Sequence, residues 1–229
     1  MENDKFQETV IYYQDKDNQF ALESFLSQVE VFFKINPSLN SKQFPIIHSI
    51  KSRFKDPEHL RGKLVRKEKE GRTIDNNNLF QEINDLIGVR VLHLYHDQFP
   101  CIHKEILRKV RDLGDWAFVE DPKAYTWDPE SQHYYEELGI LTELKDSYYT
   151  SVHYLVKPNN NKNPICCEIQ VRTLFEEIWG EIDHTINYPN KIDSIACREQ
   201  LRVLSKLVST GTRLADSIFR SFNDYKNAK

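Results

Sequence analysis

The segment Cys167-Glu168-Ile169-Gln170-Val171-Arg172-Thr173 constrains the fold of this chain more than any other stretch. Strand side chains alternate with a period of two, so Glu168, Gln170 and Arg172 share one face while Ile169 and Val171 share the other. A carboxylate, an amide and a guanidinium on one sheet face are costly to bury without partners. Metal and phosphate are partners of the right kind. Tyr149, Ser151 and His153 repeat the alternation in the segment ending at Tyr154, and Asp85 directly precedes the apolar run Leu86 to Leu92. Together the three segments imply a sheet with one face toward a core and the other toward a site. Any one of them alone reads as a solvated edge strand.

Around that sheet the hydrophobic periodicity places helices on both flanks. The 229 residues, 39% of them hydrophobic, suit one domain: helices over 1–40, an α/β core over 41–189 and a helix over 190–229. A helix is predicted from Asp17 to Phe33, with Asp17 or Asn18 as its cap. A strand follows from Ile46 to Lys55, then a helix started by Asp56-Pro57 and a short one from Leu79 to Leu86. Val89 to Leu94 reads as a buried strand, Gln98 to Leu113 as a helix and Asp115 to Val119 as a further strand. Residues 121–137, with two prolines, Trp127 and three tyrosines, read as a loop or short helix. Strands recur at Ile140 to Leu144, Ser151 to Lys157 and Pro164 to Val171, the last two joined by a turn over Pro158 to Asn163. Thr173 caps a helix carrying Phe175, Ile178, Trp179 and Ile182, and an amphipathic helix runs from Ser194 to Phe222. The expected class is α/β of the α+β kind: a mixed sheet of roughly five strands flanked by helices.

Several function classes are disfavoured. A formal net charge of -4 gives no global drive toward nucleic acid. Cysteines 101, 166, 167 and 197 form no CxxC pair and read as reduced thiols. With no signal peptide at the start and no apolar run of spanning length, a soluble cytoplasmic protein is expected. No Walker A loop, glycine-rich dinucleotide fingerprint, HExxH pattern or nucleophile elbow is present. What remains is a site of charges. Arg53, Lys55 and Lys63 converge near a strand-to-helix junction, where the helix N-terminus adds positive potential suited to a polyphosphate. A solvated basic patch is the plain alternative. Asp85 and Glu168 are candidate carboxylates for a hard cation such as magnesium. For Asp85 the ordinary role is a turn aspartate. His153 could donate to phosphate, whereas His184, at helical spacing from Glu177 and Glu181, reads equally well as a structural histidine.

In order along the chain, these motifs resemble one family. Lys145, Tyr149, Ser151 and His153 in the pattern Lys-x-x-x-Tyr-x-Ser-x-His, then Glu-Ile-Gln-Val-Arg-Thr at 168–173 and Trp-x-Glu-x-x-His at 179–184, look like the synthetase domain of RelA/SpoT alarmone synthetases. Asp85 to Val91 resembles that family's Asp-Ile-x-Gly-x-Arg signature, and Arg53-x-Lys55 with Lys63 its donor segment. The resemblance spans about Ile46 to Tyr188. It implies a nucleotidyltransferase-like pyrophosphokinase that moves the β,γ-pyrophosphate of ATP to the 3′-hydroxyl of GDP or GTP. By matching position, Arg53 would flank adenine, Lys55 and Lys63 would hold ATP phosphates, and Asp85 and Glu168 would bind magnesium, with Glu168 helping deprotonate the hydroxyl. Tyr149 would stack on the acceptor base, Lys145 and His153 would contact its phosphates, and Ser151, Gln170 and Arg172 belong to the same acceptor face. The chain departs from the pattern at Ser147-Tyr148, where Asn-Gly is usual, and at His59, where serine is usual. That departure and the basic segment Arg61 to Arg72 motivate a second reading, a toxin-type relative acting on the 3′ end of tRNA. A non-catalytic nucleotide sensor is the third. A homo-oligomer or a protein antitoxin would be the partner in such families.

Overall fold

The structure is a computed structural model describing residues 2–41, 44–160, 164–188 and 191–228. Six strands form one mixed sheet: β1 (Ser49–Phe54), β2 (Ile87–His93), β3 (Trp116–Thr126), β4 (Leu141–Leu144), β5 (Ser151–Pro158) and β6 (Cys167–Thr173). Their spatial order is β1-β2-β6-β5-β3-β4, with β2–β6 and β3–β4 parallel and the other pairs antiparallel. The helices are α1 (Glu2–Gln14), α2 (Lys16–Ile35), α3 (Pro57–Lys69), α4 (Leu79–Glu82), α5 (Phe99–Leu107), α6 (Pro129–Glu137), α7 (Leu174–Asn187) and α8 (Ile195–Asn227). No helix among the described residues is long and apolar enough to cross a membrane.

The alternation expected from the sequence sorts the sheet into two faces. Val89, Val91, Ile169, Val171, Val152, Tyr154 and Val156 enter one core with Leu22, Phe25, Leu26, Val29 and Phe33 of α2 and Phe99, Ile102 and Ile106 of α5. The opposite face carries cross-strand rows. Lys51, Arg90, Gln170 and His153 stand opposite one another across four strands, and Arg53, Gly88 and Glu168 form the neighbouring row. Both N-terminal helices serve this arrangement: the buried Tyr13 hydroxyl of α1 donates to the carbonyl of Lys55 at 2.8 Å.

Over the polar face lies α7, with α8 packed against it. Thr173 begins α7 with a capping box, its Oγ1 accepting the Glu176 N–H while Glu176 accepts the Thr173 N–H. Trp179 of α7 donates to the Leu201 carbonyl of α8 at 3.0 Å. Ion pairs fix α8 further along: Arg213 with Asp128 and Glu130, and Arg220 with Asp97. His96 sits between the two helices, 3.4 Å from Glu176 and 3.9 Å from Asp216.

Several elements differ from the sequence expectation. The sheet has six strands where roughly five were expected, since all six strand-like segments pair into it, and residues 121–126 continue β3 instead of forming a loop. Pro122 is tolerated there because the ladder with β5 shifts register between Glu120 and Lys123, leaving it no partner to lose. Pro129–Glu137 is α6, capped by Asp128. The helix expected from Gln98 to Leu113 ends as α at Leu107 and widens into a π turn over Arg108–Asp112. The helix expected from Leu79 to Leu86 stops at Glu82, the strand from Ile46 begins at Ser49, and that from Pro164 begins at Cys167. Asp15, not Asp17 or Asn18, caps α2. The turn expected over Pro158 to Asn163 lies partly outside the described residues, at 161–163.

His93, 1% exposed at the end of β2, is neutral in the fold: burial pushes its pKa down to about 4, and its ring bonds the Tyr95 carbonyl. The unfolded chain, titrating near the ordinary value of 6.5, therefore binds a proton over a window in which the folded chain does not. Stability contributed by this group is complete above that value and falls as pH drops toward 4, by about 2 kcal/mol at pH 5. Urea unfolding at pH 7.5 and pH 5 should show a smaller acid loss for His93→Gln than for the unmodified protein. Identical losses in the two would refute the assignment.

Candidate active site

Asp85, at the entry to β2, is the site's first charge centre. Its two oxygens take Lys55 Nζ at 2.7 Å and Lys63 Nζ at 2.8 Å. The local sequence explains the meeting. Lys55 directly follows β1, Asp56-Pro57 caps and starts α3, and Lys63 lies in the second turn of α3, back over the strand end. Burial raises the Asp85 carboxyl, but Lys63 and then Lys55 outweigh it and hold the pKa at about 2. Burial also lowers Lys55, and Asp85 supports its charge against that and against Lys63 and Arg53.

Glu168 is the second centre. Its carboxylate accepts from His153 Nδ1 at 3.0 Å and Gln170 Nε2 at 2.8 Å, and Arg53 Nη2 stands 3.6 Å away. Burial pushes this carboxyl up, yet the His153 hydrogen bond and charge and the Arg53 charge leave it below the usual range. An ionised carboxylate only accepts, so Nδ1 of His153 carries a proton, and the ring's Nε2 bonds the Tyr149 hydroxyl at 2.9 Å. Arg53 reaches Glu168 across β2 because Gly88 stands between them. A Cβ on Gly88 would lie 3.3 Å from the Glu168 carbonyl and 3.7 Å from Arg53 Nε.

The Glu168 centre borders a cleft. Lys51, Arg53, Gly88, Arg90, Glu168 and Gln170 line a space of about 170 Å³ over the polar face. Asp85 is close enough for its charge to raise Glu168. No cluster of three metal-ligating side chains occurs among the described residues. Two ionised carboxylates are nonetheless a donor set that suits magnesium when substrate phosphates complete the coordination.

The remaining expected residues divide. Arg172 is buried, 3% exposed, and pairs with Glu177 of α7; its Nη1 occupies the place where a Cβ on Gly180 would fall, at 2.6 Å. Its guanidinium lies 5.8 Å from the Tyr149 ring centroid. Ser151 does not face the cleft: it is fully buried and donates to the Val171 carbonyl at 3.4 Å. Lys145 pairs with Glu143 and lies 4.5 Å from the Tyr125 ring, which meets His153 edge-on. His184, exposed on α7, stacks on Tyr188 at 4.5 Å. Sequence reasoning missed Lys51 and Arg90. Arg90 is concealed inside an apolar run, where only strand parity marks it as facing the polar side. Tyr148 has φ +61°, a conformation rare for a bulky residue, and packs against Trp127.

Residues 52–193 match the family model described as a region found in RelA / SpoT proteins. The chain is 26% identical over 158 residues to the GTP pyrophosphokinase YwaC of Bacillus subtilis (strain 168), a match spanning 66% of each. Its fold is similar to the small alarmone synthetase 1 from Bacillus subtilis, with TM-score 0.65, 18% identity, and coverage of 96% of this chain and 99% of that one. The same synthetase bound to its product pppGpp matches at TM-score 0.63 and 20% identity, covering 89% and 93% of the two chains. Bound to AMPCPP it matches at TM-score 0.60 and 19% identity, covering 92% and 100%.

Replacing Asp85 with asparagine removes the charge that supports the Lys55 ammonium while burial, Lys63 and Arg53 remain. The Lys55 titration, followed by carbon NMR of the lysine side chains, should move to lower pH in Asp85→Asn. An unmoved titration would contradict the arrangement.

Proposed function

Because the chain belongs to the RelA/SpoT family, its model covering residues 52–193, we propose that it is a pyrophosphokinase using ATP as donor and GDP or GTP as acceptor. The 3′-oxygen of the acceptor attacks the β-phosphorus of ATP, the bond to the α-phosphate oxygen breaks, and AMP leaves. The observation that carries this reading is the single cleft on which Arg53, Glu168 and Gln170 meet beside the Lys55–Asp85–Lys63 centre. Transfer of this kind needs alignment and charge neutralisation rather than a covalent nucleophile. The likeness to YwaC and to the synthetase seen with pppGpp and AMPCPP supports it.

Each residue then has a task. Lys55 and Lys63 hold the donor phosphates. Arg53 and Arg90, which both line the cleft, flank the donor base with their planar guanidiniums. Asp85 and Glu168 would hold magnesium, which would neutralise phosphate oxygens when bound. Glu168 takes the proton of the attacking hydroxyl, and His153, fixed by Tyr149, keeps its carboxylate oriented. Lys145 and His153 face the acceptor phosphates, Tyr149 the acceptor base, and Gln170 and Arg172 hold that side of the sheet.

Tyr148 favours a second acceptor. It keeps the left-handed backbone that glycine adopts freely, yet puts a phenol ring beside the acceptor end, and α3 adds Arg61, Arg66, Lys67 and Lys69 nearby in sequence to the donor lysines. The 3′ end of a tRNA is the acceptor those features suit. Purified protein with γ-labelled ATP and GDP, GTP or tRNA should form AMP and label a guanine nucleotide, and Glu168→Gln should slow this by about 100- to 10,000-fold. Label on tRNA alone would transfer the assignment to the second acceptor, and no AMP with any acceptor would end the enzymatic reading.

A further inference from the structure

Glu177 occupies an unusual electrostatic position. The polar sheet face places Lys51 directly opposite Arg90, and like charges so paired destabilise a sheet. Arg172 lies one row further along the same face. Into the middle of these three cations the first turn of α7 inserts one carboxylate, 4% exposed. Glu177 Oε1 accepts from Lys51 Nζ at 2.8 Å and from Arg90 Nη1 at 3.3 Å, while Oε2 stands 2.5 Å from Arg172 Nη2 as an ion pair. The Thr173–Glu176 capping box immediately before it fixes where α7 starts, and therefore where this carboxylate falls. One turn later Glu181 also takes Arg90, so the guanidinium is held from two successive turns of one helix.

We infer that Glu177 is a positioning residue for donor binding: it aims Arg90 into the cleft. The inference rests on the pyrophosphokinase reading given above. Carboxylates bind a guanidinium in its plane, which leaves the planar faces free for a flat ring. Glu177 therefore holds Arg90 without using the surface a nucleobase needs. The same carboxylate neutralises Lys51 and Arg172, so that the arginine does not swing away from them. Its role differs from that of Glu168, which lies in the cleft itself and keeps a separate set of partners.

A double-mutant cycle distinguishes positioning from bulk support. Glu177→Gln should keep the circular dichroism of the unmodified protein and lose about 10- to 100-fold in kcat/KM for ATP. Glu177→Asp should recover part of that loss. In an Arg90→Ala background the same Glu177→Gln change should have an effect of about twofold or less, because the residue it aims is gone. Binding of AMPCPP by calorimetry should follow the same pattern, independent of any acceptor. Multiplicative losses for the two changes, or an undiminished kcat/KM in folded Glu177→Gln, would overturn the inference. Should Glu177→Gln prove misfolded, the Asp variant and the cycle built on it decide between the same two outcomes. Failure of the unmodified protein to form AMP would instead strike the pyrophosphokinase reading, and is seen before any variant is made.

Discussion

The register of three strands governs the geometry of this site. The parallel pairing of β2 with β6 sets Gly88 against Glu168, and the antiparallel pairing of β1 with β2 sets Arg53 against Gly88. With no side chain on the middle strand, the arginine crosses it and meets the carboxylate. A slip of one residue in β6 would turn Ile169 and Val171 to the cleft and drive Glu168, Gln170 and Arg172 into the core. That alternative is prohibitive, since the other face is filled with β-branched side chains packed on α2 and α5. The apolar core thus fixes the polar site from the other side of the sheet.

Charge is arranged in repeating units. Asp85 lies between Lys55 and Lys63, Glu168 between Arg53 and His153, and Glu177 among Lys51, Arg90 and Arg172. Asp85 and Glu177 each let several cations stand near one another without mutual repulsion dispersing them. A polyphosphate meets basic groups already in place, the preorganisation that electrostatic stabilisation of transfer requires.

How much of this could be read from the chain depends on the range of the interaction. The alternation in 167–173 and 149–154 is local, and its assignment of faces agrees with the sheet; so do the Asp56-Pro57 start of α3 and the Thr173 cap. Alternation gives a face but not a depth, which is why Ser151, on the same side as His153, turns out to be buried against a neighbouring strand. Two prolines made 121–137 look irregular, because the register shift that accommodates Pro122 depends on β5, a strand reached only after α6 and β4 have intervened. The π turn after α5 has no local signal at all. Glu177 was visible only as a member of a helical series with Glu181 and His184, since Lys51, Arg90 and Arg172 reach it from three different strands.

The hydrogen bond from Tyr13 to the Lys55 carbonyl extends the site's foundations to the amino-terminal helices. Lys55 is one of the two lysines on Asp85, and its main chain is braced by a phenol 42 residues upstream. The opening helix therefore acts as a strut beneath the phosphate grip rather than as an ornament beside it. Trimming α1, or remodelling its packing, would be felt at the lysine long before the sheet itself came apart.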